Sequence, residues 1–150
     1  MVSLLKDVRH FGIAVKSMEK SLWFYRDLLG LKIVREMDEK GPIIQNMLNL
    51  KNVHVHTAKL SVNDGVTLVE LLEFKSHSED LDDRKIFDLG ASHIAFTVND
   101  LDECYSFLKS KGIQFNSSPQ LAPDGYAKVC FCYDPDNTPV ELVEIIQKNS

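Results

Sequence analysis

His10-Phe-Gly-Ile-Ala-Val and His93-Ile-Ala-Phe-Thr-Val are two wordings of one phrase, 93 − 10 = 83 positions apart. In the first, His10, Gly12 and Ala14 fall on one face of an extended chain and Phe11, Ile13 and Val15 on the other. In the second, His93, Ala95 and Thr97 oppose Ile94, Phe96 and Val98. A period of two marks a strand with one packed face. The bulky face is expected to meet helices and the small face to leave a cavity beside the histidine. A second phrase also recurs, as VELLEF holding Glu70 and VELVEI holding Glu141, 141 − 70 = 71 positions apart. A repeat with two metal-capable side chains per copy suggests two half-sites that combine into one.

The segments between the motifs complete each copy. Ser17 and Asp100 are N-cap residues, Asp100 with Glu103 as a capping box, and Gly30 and Gly112 stand where a left-handed C-terminal residue is wanted. Met18, Leu22, Tyr25 and Leu29 make one apolar helical stripe, and Leu101, Cys104, Tyr105 and Leu108 its counterpart. Three strands are expected after each helix: LKIVREM, VHVHTAKLSV and VTLVELLEF, then GIQFNS, YAKVCFCY and TPVELVEI. Asn63-Asp64-Gly65 and Asp134-Pro135-Asp136-Asn137 are the turns before the two glutamate strands. Each copy therefore reads strand, helix, strand, strand, strand, an α+β arrangement. The first copy holds 83 − 71 = 12 extra residues, assigned to a longer loop within Arg35 to Asn52, where periodicity is weak and Gly41-Pro42 breaks the chain. The organisation is one domain: module one over about 6–75, an acidic linker over about 76–91, and module two over about 92–147.

Composition narrows the function. With 17 − 22 = −5 net charge and no basic block, a nucleic-acid surface has no support, and small molecules are the expected partners. No apolar run is long enough to span a bilayer and Met1 to Arg9 is too short and charged for a secretory signal, so a cytoplasmic protein without membrane partners is expected. Cys104, Cys130 and Cys132 are odd in number and lack CxxC spacing, which reads as reduced packing thiols.

Alternation puts Leu68, Glu70, Leu72 and Phe74 on one face of their strand and Val69, Leu71 and Glu73 on the other, with Glu141 and Val143 likewise opposing Leu142 and Glu144. A carboxylate among apolar neighbours is costly to bury unless something positive meets it. His10, Glu70, His93 and Glu141 together balance one divalent cation, and imidazole with carboxylate suits nickel, cobalt, zinc, manganese or iron. Four protein ligands on a six-coordinate ion leave two positions for vicinal substrate oxygens. Such an ion stabilises an enediolate, and Glu70 or Glu141 can act as the base that removes and returns a proton beside a carbonyl. His54 and His56 share one strand face and are weak pocket candidates, weighed against a simple hydrogen-bonded pair, because spacing alone does not say which face points inward. Met47 and Tyr126 are weak pocket candidates in segments placed to overhang a cleft. Trp23, Phe24 and Tyr25 read as packing or dimer contacts, and Glu73 and Glu144 as structural.

The pair HFGIAV…FYRDLLGLK…VELLEF and HIAFTV…DPDN-PVELVEI resembles the vicinal oxygen chelate superfamily, which includes glyoxalase I, methylmalonyl-coenzyme A epimerase, extradiol dioxygenases and bleomycin resistance proteins. The resemblance runs from His10 to Ile146. It implies two βαβββ modules whose mixed sheets curl around a cleft with helices packed outside, a homodimer, and metal positions at His10, Glu70, His93 and Glu141. That order is the one seen in bacterial-type glyoxalase I, which implies a lactoylglutathione lyase-like reaction on a thiol conjugate. The alternatives it implies are an epimerase, a ring-opening dioxygenase and a non-catalytic drug-binding protein. Two departures stand out. DPDNTPVEL replaces the commoner DPDG pattern, with Pro139 at an edge or strand start, and Arg9, Arg26, Arg35, Lys51 and Lys128 form no recognisable set for glutathione carboxylates.

Overall fold

In a computed structural model, residues 3–79 and 83–146 are described. The chain divides into two compact units, Met1–Asp80 and Leu81–Ser150, each carrying one copy of the repeat. The first holds β1 (His10–Ala14), α1 (Met18–Leu22) continuing into a π-helical turn (Trp23–Leu28), β2 (Lys32–Lys40), α2 (Pro42–Leu48), β3 (His54–Ser61) and β4 (Leu68–Phe74). The second holds β5 (Ile94–Thr97), α3 (Leu101–Ser110), β6 (Gln120–Leu121), β7 (Ala127–Tyr133) and β8 (Pro139–Ile145). Both sheets are four-stranded with one topology, β1-β4-β3-β2 and β5-β8-β7-β6. In each, the first strand runs parallel to the glutamate strand and the other pairings are antiparallel. These are two mixed sheets of the α+β βαβββ kind. Residues 80–82 of the expected linker and residue 147 of module two lie outside the described residues.

The alternation read from the sequence fixes the faces. His10, Gly12 and Ala14 are exposed while Ile13 and Val15 are buried; His93, Ala95 and Thr97 are exposed while Ile94, Phe96 and Val98 are half-buried. The caps form as expected: Ser17 accepts from the Lys20 amide and Asp100 from the Glu103 amide, and Gly30 and Gly112 take φ of +83° and +86°. A tertiary device repeats as well. Glu73 Oε2 accepts the Met18 N–H at 3.0 Å and Glu144 Oε2 accepts the Leu101 N–H at 2.8 Å. Each glutamate thus ties the first residue of its unit's helix to the sheet face opposite Glu70 or Glu141, which satisfies an orphan helix donor with a charge suited to that terminus.

Three features differ from expectation for physical reasons. The helix after Ser17 widens: the Leu29 N–H reaches Phe24 O at 3.0 Å, five residues back. Phe24 and Tyr25, adjacent in sequence, are both fully buried in an edge-to-face contact with centroids 4.9 Å apart. They are packing residues, whereas Trp23 is 41% exposed. The segment expected as a loop is instead an extension of β2 to Lys40 followed by α2, with Pro42 at its first turn and Asn49 closing it in the left-handed region. In the second unit GIQFNS is not a strand. It makes one isolated bridge, Phe115 with Cys132, and the fourth place in the sheet is taken by the two-residue β6.

Both turns follow their chemistry. Asn63 and Asp64 adopt positive φ and the Gly65 N–H bonds to Val62 O at 2.9 Å. Asp134 Oδ1 accepts the Asp136 and Thr138 amides, and Asn137 takes φ of +62°, the conformation glycine would hold in the commoner pattern. Pro139 opens β8, so its missing N–H removes nothing from the ladder interior.

Candidate metal and substrate site

The first half-site forms on one face of the first unit's sheet. Gly12 is the register partner of Glu70, and His10 sits two residues earlier on the same face. His10 Nε2 lies 2.8 Å from Glu70 Oε2. Glu70 is only 8% exposed, and this contact is what relieves a carboxylate set between Val69 and Leu71. A Cβ at Gly12 would stand 3.4 Å from Leu72 Cδ1, at the close edge of ordinary contact.

The second unit repeats the arrangement. Ala95 pairs with Glu141 and His93 Nε2 lies 3.1 Å from Glu141 Oε2. The imidazole also meets the edge of Phe131, centroids 5.3 Å apart, and Phe131 is the β7 residue directly opposite Glu141. The corresponding β3 residue opposite Glu70 is Lys59. The two half-sites share their ligand-capable pair and differ in what stands next to it. Lysine at that position escaped the sequence reading, because only the β3–β4 register puts it beside Glu70.

The donor chemistry of each pair fits a divalent ion. Two neighbouring ligands at about 2.1 Å from a six-coordinate ion stand about 3 Å apart, close to the 2.8 and 3.1 Å separations at which each pair is hydrogen-bonded. The four predicted ligands fall into two pairs, one within each unit. No group of three or more His, Cys, Asp or Glu side chains placed to share an ion occurs among the described residues.

The remaining candidates fall elsewhere. His54 and His56 lie on the Glu73 face of β3, opposite Glu70, since His56 is the register partner of Glu73. There His54 Nε2 pairs with Asp38 at 2.7 Å and His56 Nε2 with Glu36 at 2.7 Å. The His54 hydrogen bond holds Asp38 below the usual carboxylate range. Met47 is 70% exposed on α2 and Tyr126 is 39% exposed just before β7. Although Met47 itself points to solvent, its helix does bear on the site face: Ile44 packs with Val53 and Val55 against Leu72 and Phe74, two residues that share the face of Glu70. Cys130 and Cys132 are buried on the other face of β7, where burial pushes their thiols up to about 11 and about 12.

Residues 7–142 match the family model described as the glyoxalase/bleomycin resistance protein/dioxygenase superfamily. The chain belongs to this superfamily. The uncharacterized protein YwkD of Bacillus subtilis is 31% identical over 143 residues, covering 94% of this chain and 98% of its own length. A lactoylglutathione lyase of Schizosaccharomyces pombe is 29% identical over 144 residues, covering 91% of this chain; the chain spans 46% of that longer protein. The fold of a solved glyoxalase family protein from Bacillus cereus superposes with a TM-score of 0.84 at 21% identity, covering 98% of this chain and 100% of the other. Glyoxalase-superfamily membership accounts for the doubled topology. No helix among the described residues is long and apolar enough to cross a membrane.

Proposed function

We propose that this protein is a divalent-metal-dependent lyase or isomerase of the glyoxalase I type, with His10, Glu70, His93 and Glu141 as its metal ligands. The observation that carries this reading is the repeated His–Glu contact, at 2.8 and 3.1 Å, each beside the small, exposed residues of its unit's first strand. The 29% identity to a lactoylglutathione lyase supports it. The reading requires the two pairs to meet, within one chain or between two copies. When bound, the ion supplies Lewis-acid stabilisation of negative charge developing beside a substrate carbonyl.

The chain's own residues do the rest. Gly12, Ala14, Ala95 and Thr97 leave room for a substrate against each pair. Glu141 or Glu70 takes the proton from the carbon next to the carbonyl onto a carboxylate oxygen and returns it to the neighbouring carbon. Glu70, more enclosed than Glu141, keeps its imidazole partner in place. The test is conversion of the hemithioacetal of methylglyoxal and glutathione with added nickel, cobalt or zinc. The expected result is thioester formation that falls at least a hundredfold in Glu141→Gln. No turnover with any of these ions, together with deuterium entry at the α-carbon of methylmalonyl-coenzyme A, would replace this reading with an epimerase.

A further inference from the structure

From the β3–β4 and β2–β3 registers, Glu70, Lys59 and Arg35 form one row across the first unit's sheet, all on the His10–Glu70 face. At the usual spacing between strands, Lys59 stands roughly 5 Å and Arg35 roughly 10 Å from Glu70. Arg35 reaches this row through an irregularity. Ile33 pairs with Leu60 and Arg35 with Lys59, so one extra residue, Val34, is inserted into β2. Without it Val34 would stand opposite Lys59, and Arg35 would face the helix side with His54 and His56. Bulges of this kind re-aim a side chain, and this one turns Arg35 to the Glu70 face.

Neither cation of the row is held in a close ion pair, although Glu70 stands opposite Lys59. Two cations directly opposed across strands repel each other. Every nearby carboxylate is engaged elsewhere: Glu70 with His10, Glu36 with His56, and Asp38 with His54. Glu39, on the same face, is four residues along β2 from Arg35, roughly 13 Å away. Among the described residues, neither Lys59 nor Arg35 forms an ion pair. Lys32 adds a third cation on this face, opposite Ser61, and the buried Ser61 hydroxyl has no hydrogen-bond partner among the described residues. In the second unit the position of Lys59 is held by Phe131, so the cation is particular to the first copy and is not demanded by the repeat.

We infer that Lys59 and Arg35 form an oxyanion subsite, and that the substrate carries a carboxylate or phosphate group within roughly 10 Å of its reacting oxygens. The Arg35 fork receives two oxygens in parallel and Lys59 neutralises the charge on the side nearer Glu70. The inference deepens the proposed function and rests on its assignment of the His10–Glu70 face as the substrate face.

The test uses the full chain, freed of metal with chelator, and titrates succinate or inorganic phosphate while amide resonances are followed by NMR. Saturable shifts centred on Arg35, Lys59 and Ser61 are expected with at least one probe. The tighter of the two tells carboxylate from phosphate chemistry. Affinity should fall at least tenfold in a Lys59→Met, Arg35→Gln variant and be partly restored in Lys59→Met alone. Far-ultraviolet circular dichroism and the dispersion of the remaining resonances show that the variants fold. Absence of saturable binding, or a double variant that binds like the wild type, overturns the inference. Nickel affinity measured on the same proteins separates the two claims: loss of anion binding with wild-type nickel affinity is expected. Anion binding that is intact in a protein that takes up no nickel would sink the metal reading while leaving this subsite standing.

Discussion

Replacing Glu73 or Glu144 by alanine should loosen each unit's helix from its sheet by a calculable amount. Glu73 accepts the Met18 N–H at 3.0 Å with its side chain 16% exposed, and Glu144 accepts the Leu101 N–H at 2.8 Å with its side chain 20% exposed. A largely enclosed hydrogen bond to a charged acceptor contributes about 1.5–3 kcal/mol, and the favourable end of the helix dipole is part of the same interaction. The Lys75 contact, with its ammonium side chain nearly half exposed, adds little. Each alanine variant should therefore lose about 2 kcal/mol, or about 4–8 °C in Tm for a chain of this size. Glutamine, which keeps an acceptor and loses the charge, should cost about half as much. The effect is pH-dependent with a definite sign. Burial pushes the Glu73 carboxyl up, but the Lys75 hydrogen bond and the Met18 amide outweigh it, so its pKa lies below the ordinary 4.5. A lowered folded pKa contributes stability that is present above the unfolded value and lost as pH falls through the folded one. The gap between wild type and Glu73→Ala should be full at pH 7 and close progressively below about 4.5. Urea denaturation across that range is the assay. An alanine variant within 0.5 kcal/mol of wild type at pH 7, or a gap that widens in acid, refutes the reasoning.

Other consequences follow from packing and charge. Ile44→Ala removes the α2 contact with Val53, Val55, Leu72 and Phe74 and should cost about 2–4 kcal/mol; a loss below 1 kcal/mol in urea melts would mean that α2 is not seated on the site face. Arg35→Gln relieves the cross-strand repulsion with Lys59 while leaving Glu70 opposite Lys59, and should raise stability by about 0.5 kcal/mol at low salt, a gain that vanishes in concentrated salt; destabilisation would contradict it. Burial raises the thiols of Cys130 and Cys132 to about 11 and about 12, so at pH 8 a thiol-specific reagent should label neither until denaturant is added. Because those folded values are raised, the stability they reflect is present below about 9 and lost as pH climbs toward them. Prompt labelling of more than one thiol in native protein would overturn the burial argument.

Where one strand face was small and the other bulky, as at His10 and His93, alternation alone assigned the exposed and buried sides correctly. VHVHTAKLSV resisted the same reading because both its faces are buried: Val55 and Thr57 on one, Ala58 and Leu60 on the other. Its histidines could be placed only through the register with β4. The long segment after Arg35 has weak periodicity because it is half strand and half a short helix of seven residues. The π-helical turn is invisible to a 3.6-residue period, since one added residue per turn is what lets Phe24 and Tyr25 both point inward. GIQFNS, expected as a strand, keeps only the Phe115 bridge. The His–Glu pairs were legible because they recur in register. The Lys59–Arg35 row was not, because it depends on an inserted residue that no periodicity announces.

In the proposed function the two His–Glu pairs act as one metal site. The decisive measurement is nickel titration by calorimetry, with metal content determined on protein purified without chelator. One ion per chain is predicted, with affinity falling a hundredfold or more in each of His10→Ala, Glu70→Gln, His93→Ala and Glu141→Gln. Variants of one unit that bind metal as tightly as wild type, while those of the other do not, would contradict a joint site.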